Sequence, residues 1–235
     1  MTSSVPPADA PGANGAAANG AANGAADGPA DGPVDGEAPR LPAPQEVVDF
    51  WFGVPGSPEW LQQRPEWFRK DPVFDALIES RFAPLLERAL HGQLEDDPAE
   101  QALPLTRLAR IIVCDQFPRN VWRDRPKAFA LDPIALATAR TLVETPAERA
   151  MTPVQRKFVY MPFMHSEVLE DQAYCVSLFE ALAAESSAES DSLDYAIKHK
   201  AVIERFGRFP HRNEILGRQS TKEELAFLKE PGSRF

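Results

Sequence analysis

Cysteine is scarce in this sequence, which contains two cysteines among 235 residues. Two cysteines cannot build the disulfide framework of a small secreted protein, and their scarcity favours a reducing compartment. We therefore expect a cytoplasmic protein in which Cys114 and Cys175 are buried thiols. Long apolar runs are also absent, since no stretch approaches the roughly 20 residues that span a membrane. The sequence thus predicts no membrane partner.

A surplus of basic residues is missing as well. The formal net charge is −10, from 35 acidic and 25 basic residues. Proteins that bind nucleic acid usually present a basic stripe to the phosphates. The acidic balance therefore predicts no nucleic-acid partner, although it leaves room for a local cationic pocket.

Aromatic residues are absent from the first 40 residues, which consist mostly of Ala, Gly, Pro, Asn and Asp. A segment of this composition has too little apolar surface to offset the entropy that ordering costs. It also lacks the basic start and the continuous apolar run of a secretory signal. We predict a disordered tail over residues 1–40 and a single folded domain over residues 41–235.

Strand-like alternation is absent too, and signals for helix starts take its place. Asp or Thr precedes proline at several points, where the first residue can cap a helix and the proline can occupy its first position. These pairs are Asp71–Pro72, Asp97–Pro98, Asp132–Pro133 and Thr152–Pro153. Capping boxes add further signals, with their acceptors at Glu100, Gln155 and Glu224. Apolar residues then recur at helical spacing, so we predict an all-α fold of stacked antiparallel helical hairpins.

The most distinctive stretch is Arg205–Asn213, which reads Arg-Phe-Gly-Arg-Phe-Pro-His-Arg-Asn. Gly207 suits a left-handed helix cap, and Pro210 can begin a short new helix. Helix N-termini and guanidinium groups both favour anions. The residues that could bind a carboxylate or phosphate here are Arg208, His211, Arg212 and Asn213. The alternative is that the arginines pair with acidic residues of neighbouring helices and hold a tight turn.

A shorter block, Asp115–Asn120, has a similar Phe-Pro step and follows a long apolar pattern. We predict that Pro118 ends this helix, because proline cannot continue a regular one. Asp115, Arg119 and Asn120 are then candidates for binding a ligand at the helix end. The alternative is a polar network that ties the loop to the core.

A third block, Met161–Asp171, contains His165, Glu167 and Asp171. Glu167 and Asp171 are four residues apart, so we expect them on one face of a helix. The spacing matches no established metal motif, and we predict no metal. Histidine suits proton transfer because its pKa lies near neutrality. The candidate catalytic residues are His165, Glu167 and His211.

The other histidines, His91 and His199, are interpreted as structural or solvated. His199 lies between Lys198 and Lys200, which indicates an exposed face. The sequence also lacks a nucleophile elbow, a phosphate-binding loop and a dinucleotide fingerprint. We therefore predict no cofactor.

The three blocks occur in this order together with Val47-Val-Asp-Phe-Trp-Phe-Gly53 near the start and Phe227-Leu-Lys-Glu-Pro-Gly-Ser-Arg-Phe235 at the end. In these blocks the sequence resembles the bacterial domain-of-unknown-function family 924, over nearly all of residues 41–235. The resemblance implies an all-helical, tetratricopeptide-like superhelix. It implies no reaction and no set of catalytic residues.

Two functional hypotheses follow. In the first, the three blocks form a polar pocket that binds a small anionic molecule, with acid–base catalysis as an extension. In the second, the protein is a non-catalytic helical-repeat module that binds a protein or peptide segment, and the polar blocks are structural clasps. The first requires the blocks to lie within hydrogen-bond reach of one ligand.

Overall fold

A computed structural model describes residues 40–94, 99 and 102–233. Every regular element in these ranges is helical, which confirms the predicted all-α class. No helix in the described part is long and apolar enough to cross a membrane. Of the predicted tail, Arg40 alone is among the described residues. Asp97 and Glu100 also lie outside the described residues. The contacts of the chain define a compact unit, Arg40–Phe235.

The α-helices are joined by connections that differ in length. In chain order they are α1 (Pro44–Phe52), α2 (Pro72–Leu90), α3 (Pro104–Ile111), α4 (Phe117–Val121), α5 (Asp132–Val143), α6 (Pro146–Arg149), α7 (Pro153–Met164), α8 (Leu169–Glu185), α9 (Ser190–Phe206) and α10 (Lys222–Phe227). Helix α8 packs along α7 and α9, and α5 packs against α3 and α7. Short 3₁₀ turns occupy Pro65–Trp67, Pro126–Phe129, Ser187–Glu189 and Pro210–Arg212. The tetratricopeptide-like superhelix stays a prediction.

Most of the predicted helix starts are present. Asp71 accepts hydrogen bonds from two backbone N–H groups of the first turn of α2, at 2.9 and 3.0 Å. Thr152 and Thr221 form capping boxes at the starts of α7 and α10. Asp132 differs from its prediction. It is the first residue of α5 and makes no capping bond, because its carboxylate binds arginine side chains instead.

The core is a large cluster of aromatic and aliphatic side chains. Trp51 and Phe52 of α1 are completely buried, and the Trp51 ring lies 5.6 Å from that of Phe158 on α7. Cys114 and Cys175 are free thiols in the same core, so their predicted burial is confirmed. Burial raises the pKa of Cys114 to about 12, which makes that thiol unreactive.

An unusual element joins α3 to α4. Ile112–Gln116 forms a π-helical turn, in which the N–H of Phe117 bonds to the carbonyl five residues before it. We predicted that Pro118 ends the helix, and this is wrong, since the chain continues into α4. In a regular helix a proline ring clashes with the carbonyl four residues earlier. The wider turn before Pro118 accommodates the ring, and it carries Asp115 into the core.

Helix α9 ends as predicted. Gly207 adopts the left-handed conformation with φ 68°, and its N–H bonds to the carbonyl of Ile203 at 2.8 Å. Pro210 then begins the predicted short turn. The reversal brings Phe209 and Arg212 back toward the middle of the chain, where α4, α5 and α7 meet.

Candidate functional site

Asp115, on the π turn, is fully buried and lies at the centre of the candidate site. Its Oδ1 is 2.7 Å from Nδ1 of His165, at the end of α7. The same oxygen is 3.3 Å from Nη1 of Arg119 on α4, while Gln116 donates to the other oxygen. Burial alone would raise the pKa of Asp115, but Arg119 and His165 lower it to about 2. Asp115 is therefore an anion at neutral pH that holds Arg119 and His165 together.

His165 is oriented by this contact. Because Asp115 is ionised, Nδ1 of His165 carries the hydrogen and donates it. Burial and the charge of Arg119 lower the pKa of His165, although Asp115 opposes them. The imidazole is therefore neutral at neutral pH, and its Nε2 holds a lone pair. The side chain is 12% exposed, so a ligand can reach it.

Asp132 joins the two arginines of the predicted site. Arg119 binds its carboxylate through both terminal nitrogens, at 2.8 and 3.0 Å. Nη1 of Arg212 lies 3.5 Å from the same carboxylate. A bidentate pair is strong, whereas a single contact of that length is at the limit of a hydrogen bond. Arg119 is well paired, and Arg212 is not.

The guanidinium of Arg212 lies between two aromatic rings. Its Cζ is 4.7 Å from the ring centroid of Phe129 and 4.6 Å from that of Phe209. The side chain is 8% exposed, and among the described residues its buried Nε has no hydrogen-bond acceptor. Burial and the nearby Arg119 lower the pKa of Arg212 to about 10. Arg212 is thus a buried cation, charged at neutral pH, with fewer polar contacts than its five N–H donors can make.

His199 also belongs to this arrangement, and our prediction that it lies on an exposed face is wrong. The residue is 6% exposed, and its Nδ1 is 2.8 Å from a backbone carbonyl of α9. Its ring lies 6.4 Å from the ring of His165 and 5.5 Å from that of Phe209. The adjacent lysines are misleading because neighbouring helical residues point about 100° apart.

These contacts form a closed circuit that we call the polar ring. Its members, in order of contact, are His165, Asp115, Arg119, Asp132, Arg212, Phe209 and His199. The predicted residues Asp115, Arg119, His165 and Arg212 are therefore brought together. His211 lies beside the polar ring, and the centroid of its imidazole is 5.5 Å from the centroid of the Phe209 side-chain ring.

Asn120 and Arg208 are predicted ligand-binding residues whose partners lie outside the polar ring, as do those of Asn213. Asn120 donates to Asp75 of α2 at 2.9 Å. Arg208 binds Glu224 of α10 through two hydrogen bonds, at 2.7 and 2.9 Å. Both act as structural links between segments, which is the role that the second hypothesis gives to the polar blocks.

Glu167 also points away from His165. Helix α8 begins at Leu169, so Glu167 precedes the helix and does not share the predicted face with Asp171. Asp171 instead pairs with Arg140. The side chain that orients His165 is Asp115.

Glu167 belongs to what we call the C-terminal clasp, formed by Glu167, Arg218 and the backbone of Phe209. Arg218 binds both oxygens of Glu167, at 2.7 and 2.9 Å. The N–H of Phe209 donates to Glu167 at 2.7 Å, and Arg218 donates to the carbonyl of Phe209 at 3.1 Å. Asn213 accepts from Arg218 at 3.0 Å and is completely buried. The clasp thus fixes the backbone next to Arg212.

Three contributors to the site were missed, namely Asp132, His199 and Phe129. For His199 a signal existed, because Ala196, Val202 and Ile203 lie three and four residues away on the same face of α9 and are buried. Asp132 was interpreted as a helix cap, and that interpretation hid its availability as an ion-pair partner.

The described residues contain no group of three or more His, Cys, Asp or Glu side chains arranged to hold a metal. Two clefts lie elsewhere on the surface. One of about 110 Å³ lies between α1, α2 and α3, and another of about 410 Å³ lies beside Glu148 and Tyr160. Neither is lined by a member of the polar ring.

Comparison with known proteins identifies relatives but no activity. No curated protein matches the chain. A solved structure of a protein of unknown function from Agrobacterium tumefaciens is similar, with 32% identity over 79% of this chain and 96% of that one, and a TM-score of 0.67. The model of the family described as bacterial protein of unknown function (DUF924) matches residues 47–232. The chain therefore belongs to the DUF924 family.

Proposed function

We propose that the polar ring binds a small anionic molecule, with Arg212 as its main contact and Arg119 in support. The observation that carries this proposal is the environment of Arg212. Its guanidinium is buried, stacked between two aromatic rings, and its Nε lacks an acceptor among the described residues. A buried cation is costly when its one counter-ion contact is as long as the 3.5 Å between Arg212 and Asp132. A carboxylate or phosphate bound beside it would offset that cost.

Other arginines of the protein show what full pairing looks like. Arg119 and Arg218 each hold a carboxylate through two nitrogens at 3.0 Å or less. Asp132 binds Arg119 at 2.8 and 3.0 Å but Arg212 only at 3.5 Å. Arg212 therefore has fewer close carboxylate contacts than Arg119 and Arg218.

Acid–base catalysis is the finer part of the proposal. Of the predicted catalytic residues, His165 is the best placed, because an ionised carboxylate orients it and its Nε2 can accept a proton. His211 lies next to Arg212, and burial and Arg212 lower its pKa to about 4. Glu167 is committed to the C-terminal clasp.

The buried free thiols support our expectation of a cytoplasmic protein.

The experiment is a calorimetric titration of the full chain at pH 7.5 with orthophosphate, acetate and malonate. We expect at least one of them to bind, and Arg212→Met to raise its Kd about tenfold or more. Arg208→Met is the matched control, because Arg208 lies in a structural link, and it should leave the Kd within about twofold. Absence of binding by the wild-type protein would overturn the proposal.

Thermal unfolding of the same variants separates a binding role from a structural one. Without an anion, we expect Arg212→Met to keep or raise the Tm, since it removes a poorly paired buried charge. Arg208→Met should lower the Tm, because it leaves Glu224 without its partner. If Arg212→Met instead lowers the Tm and leaves anion binding intact, the second hypothesis, a peptide-binding module with structural clasps, is favoured.

A further inference from the structure

The polar ring contains two kinds of hydrogen-bonding group. Arg212 and Arg119 are hydrogen-bond donors with positive charge, whereas Nε2 of His165 is an acceptor. The chain of shared carboxylates, from His165 through Asp115 and Arg119 to Asp132 and Arg212, keeps these groups in one cluster.

The acceptor character of His165 follows from its geometry. Its Nδ1 is taken by Asp115 at 2.7 Å, so the single hydrogen of the neutral imidazole is on that nitrogen. Among the described residues, Nε2 has no donor. A bare anion beside Arg212 would leave this lone pair unsatisfied and facing negative charge, which is unfavourable in a partly buried site.

We propose that the ligand of the polar ring is a small anion that also carries a hydroxyl group, such as a hydroxycarboxylate or a hydroxylated phosphate ester. The anionic group would contact Arg212, and the hydroxyl would donate to Nε2 of His165. This inference rests on the proposed anion binding and adds the chemical class of the ligand to it. No bond is made or broken in the binding step.

The charged and titratable groups around His165 come from five elements. Facing it are Asp115 on the π turn, Arg119 on α4, Asp132 on α5, His199 on α9 and His211 on the turn after α9. Burial and the guanidinium group of Arg119 keep the imidazole neutral, while the carboxylates act against them. The preference for a hydroxyl should therefore be present at neutral pH.

The test uses pairs of ligands that differ by hydroxyl groups, namely glycolate with acetate, and glycerol phosphate with propyl phosphate. The full chain is titrated calorimetrically with each at pH 7.5. We expect the hydroxylated member of one pair to bind about tenfold more tightly at pH 7.5, as one added hydrogen bond provides. The pair that shows the preference identifies the anionic group as carboxylate or phosphate.

The key variant is His165→Asn, because the amide nitrogen of asparagine can replace Nδ1 in the bond to Asp115 while the Nε2 acceptor is lost. We expect it to lose the hydroxyl preference, so that the two members of a pair bind with similar affinity. His91→Asn, at the end of α2, is the matched control and should keep the preference. Circular dichroism confirms that each variant is folded.

Two results would overturn the inference. Equal affinity for both members of each pair in the wild type would refute the hydroxyl contact while leaving anion binding intact. A preference that persists in His165→Asn would show that another group contacts the hydroxyl. If no anion binds at all, the proposed function fails and this inference fails with it.

Discussion

Three histidines lie in or beside the polar ring, and burial lowers the pKa of each. The pKa of His199 falls to about 3 and that of His211 to about 4. In the unfolded chain a histidine titrates near 6.5. Above that value both states are neutral and the full stability is present. Below it the unfolded chain takes up protons that the folded protein does not, so the free energy of unfolding decreases as the pH is lowered.

We therefore predict that the free energy of unfolding decreases between pH 7 and pH 5, by up to about 2 kcal/mol for each of these two histidines. Urea unfolding followed by circular dichroism at pH 7, 6 and 5 measures it. His199→Asn should flatten the dependence, because asparagine can still donate to the backbone carbonyl but does not titrate. His91→Asn should not. Equal free energies at pH 7 and 5 in the wild type would contradict the prediction.

At the level of single residues, the sequence predicted the site in part. Asp115, Arg119, His165 and Arg212 were expected together and lie together. Asp115, Arg119 and Arg212 stand in blocks whose Phe-Pro steps mark irregular backbone. Asp132 could not be predicted, because an aspartate before proline is also a good helix cap, and only the approach of two arginines decides between the roles.

At the level of elements, two glycines end helices with positive φ but in different surroundings. A Cβ on Gly207, with φ 68°, would meet no atom within 4 Å. A Cβ on Gly53, after α1 with φ 85°, would lie 2.8 Å from the backbone carbon of Glu59. Gly207 is needed only for its positive φ, whereas Gly53 is also needed because a Cβ would collide with the backbone of Glu59.

Gly207→Ala should therefore cost about 1–2 kcal/mol of unfolding free energy, the usual cost of the left-handed conformation. Gly53→Ala should cost more, about 3 kcal/mol or above, because the backbone at Glu59 must also move. Urea unfolding of the two variants measures both costs. Equal costs would show that the backbone around Gly53 yields easily.

Helix starts were predictable because each depends on a few neighbouring residues. Thr152 and Thr221 cap their helices through contacts three residues away. The π turn before Pro118 was not predictable in this way. Its wide bonding pattern is stabilised by packing of Ile112–Gln116 in the core, and periodicity of apolar residues does not distinguish it from an ordinary helix that ends.

At the level of the whole molecule, the C-terminal clasp connects the last part of the chain to the polar ring. Glu167 and Arg218 hold the backbone of Phe209 from both sides. The ring of Phe209 in turn stacks on Arg212. The position of Arg212 thus depends on contacts that begin before α8 and end beyond α9.

Arg218→Ala should consequently lower the Tm and weaken anion binding, although Arg218 is not a member of the polar ring. Hydrogen exchange should increase over residues 208–220, which the clasp restrains. Arg205→Ala is the matched control, because its pair with Glu223 is exposed and such pairs contribute little. Unchanged exchange and affinity in Arg218→Ala would show that packing alone positions Arg212.

The π turn has a consequence for changes in chain length. Helices α3 and α4 form one rod that carries a surplus residue, and each residue turns a helix by about 100° and advances it by about 1.5 Å. If one residue were deleted within Ile112–Gln116, the wide turn would be lost, the ring of Pro118 would clash with the turn before it, and α4 would rotate as a block. Arg119 would no longer be positioned to bind Asp132, and Asn120 would no longer be positioned to bind Asp75. None of these four residues would have been substituted. The arrangement of charges in this protein therefore depends on a count of residues as much as on their identities.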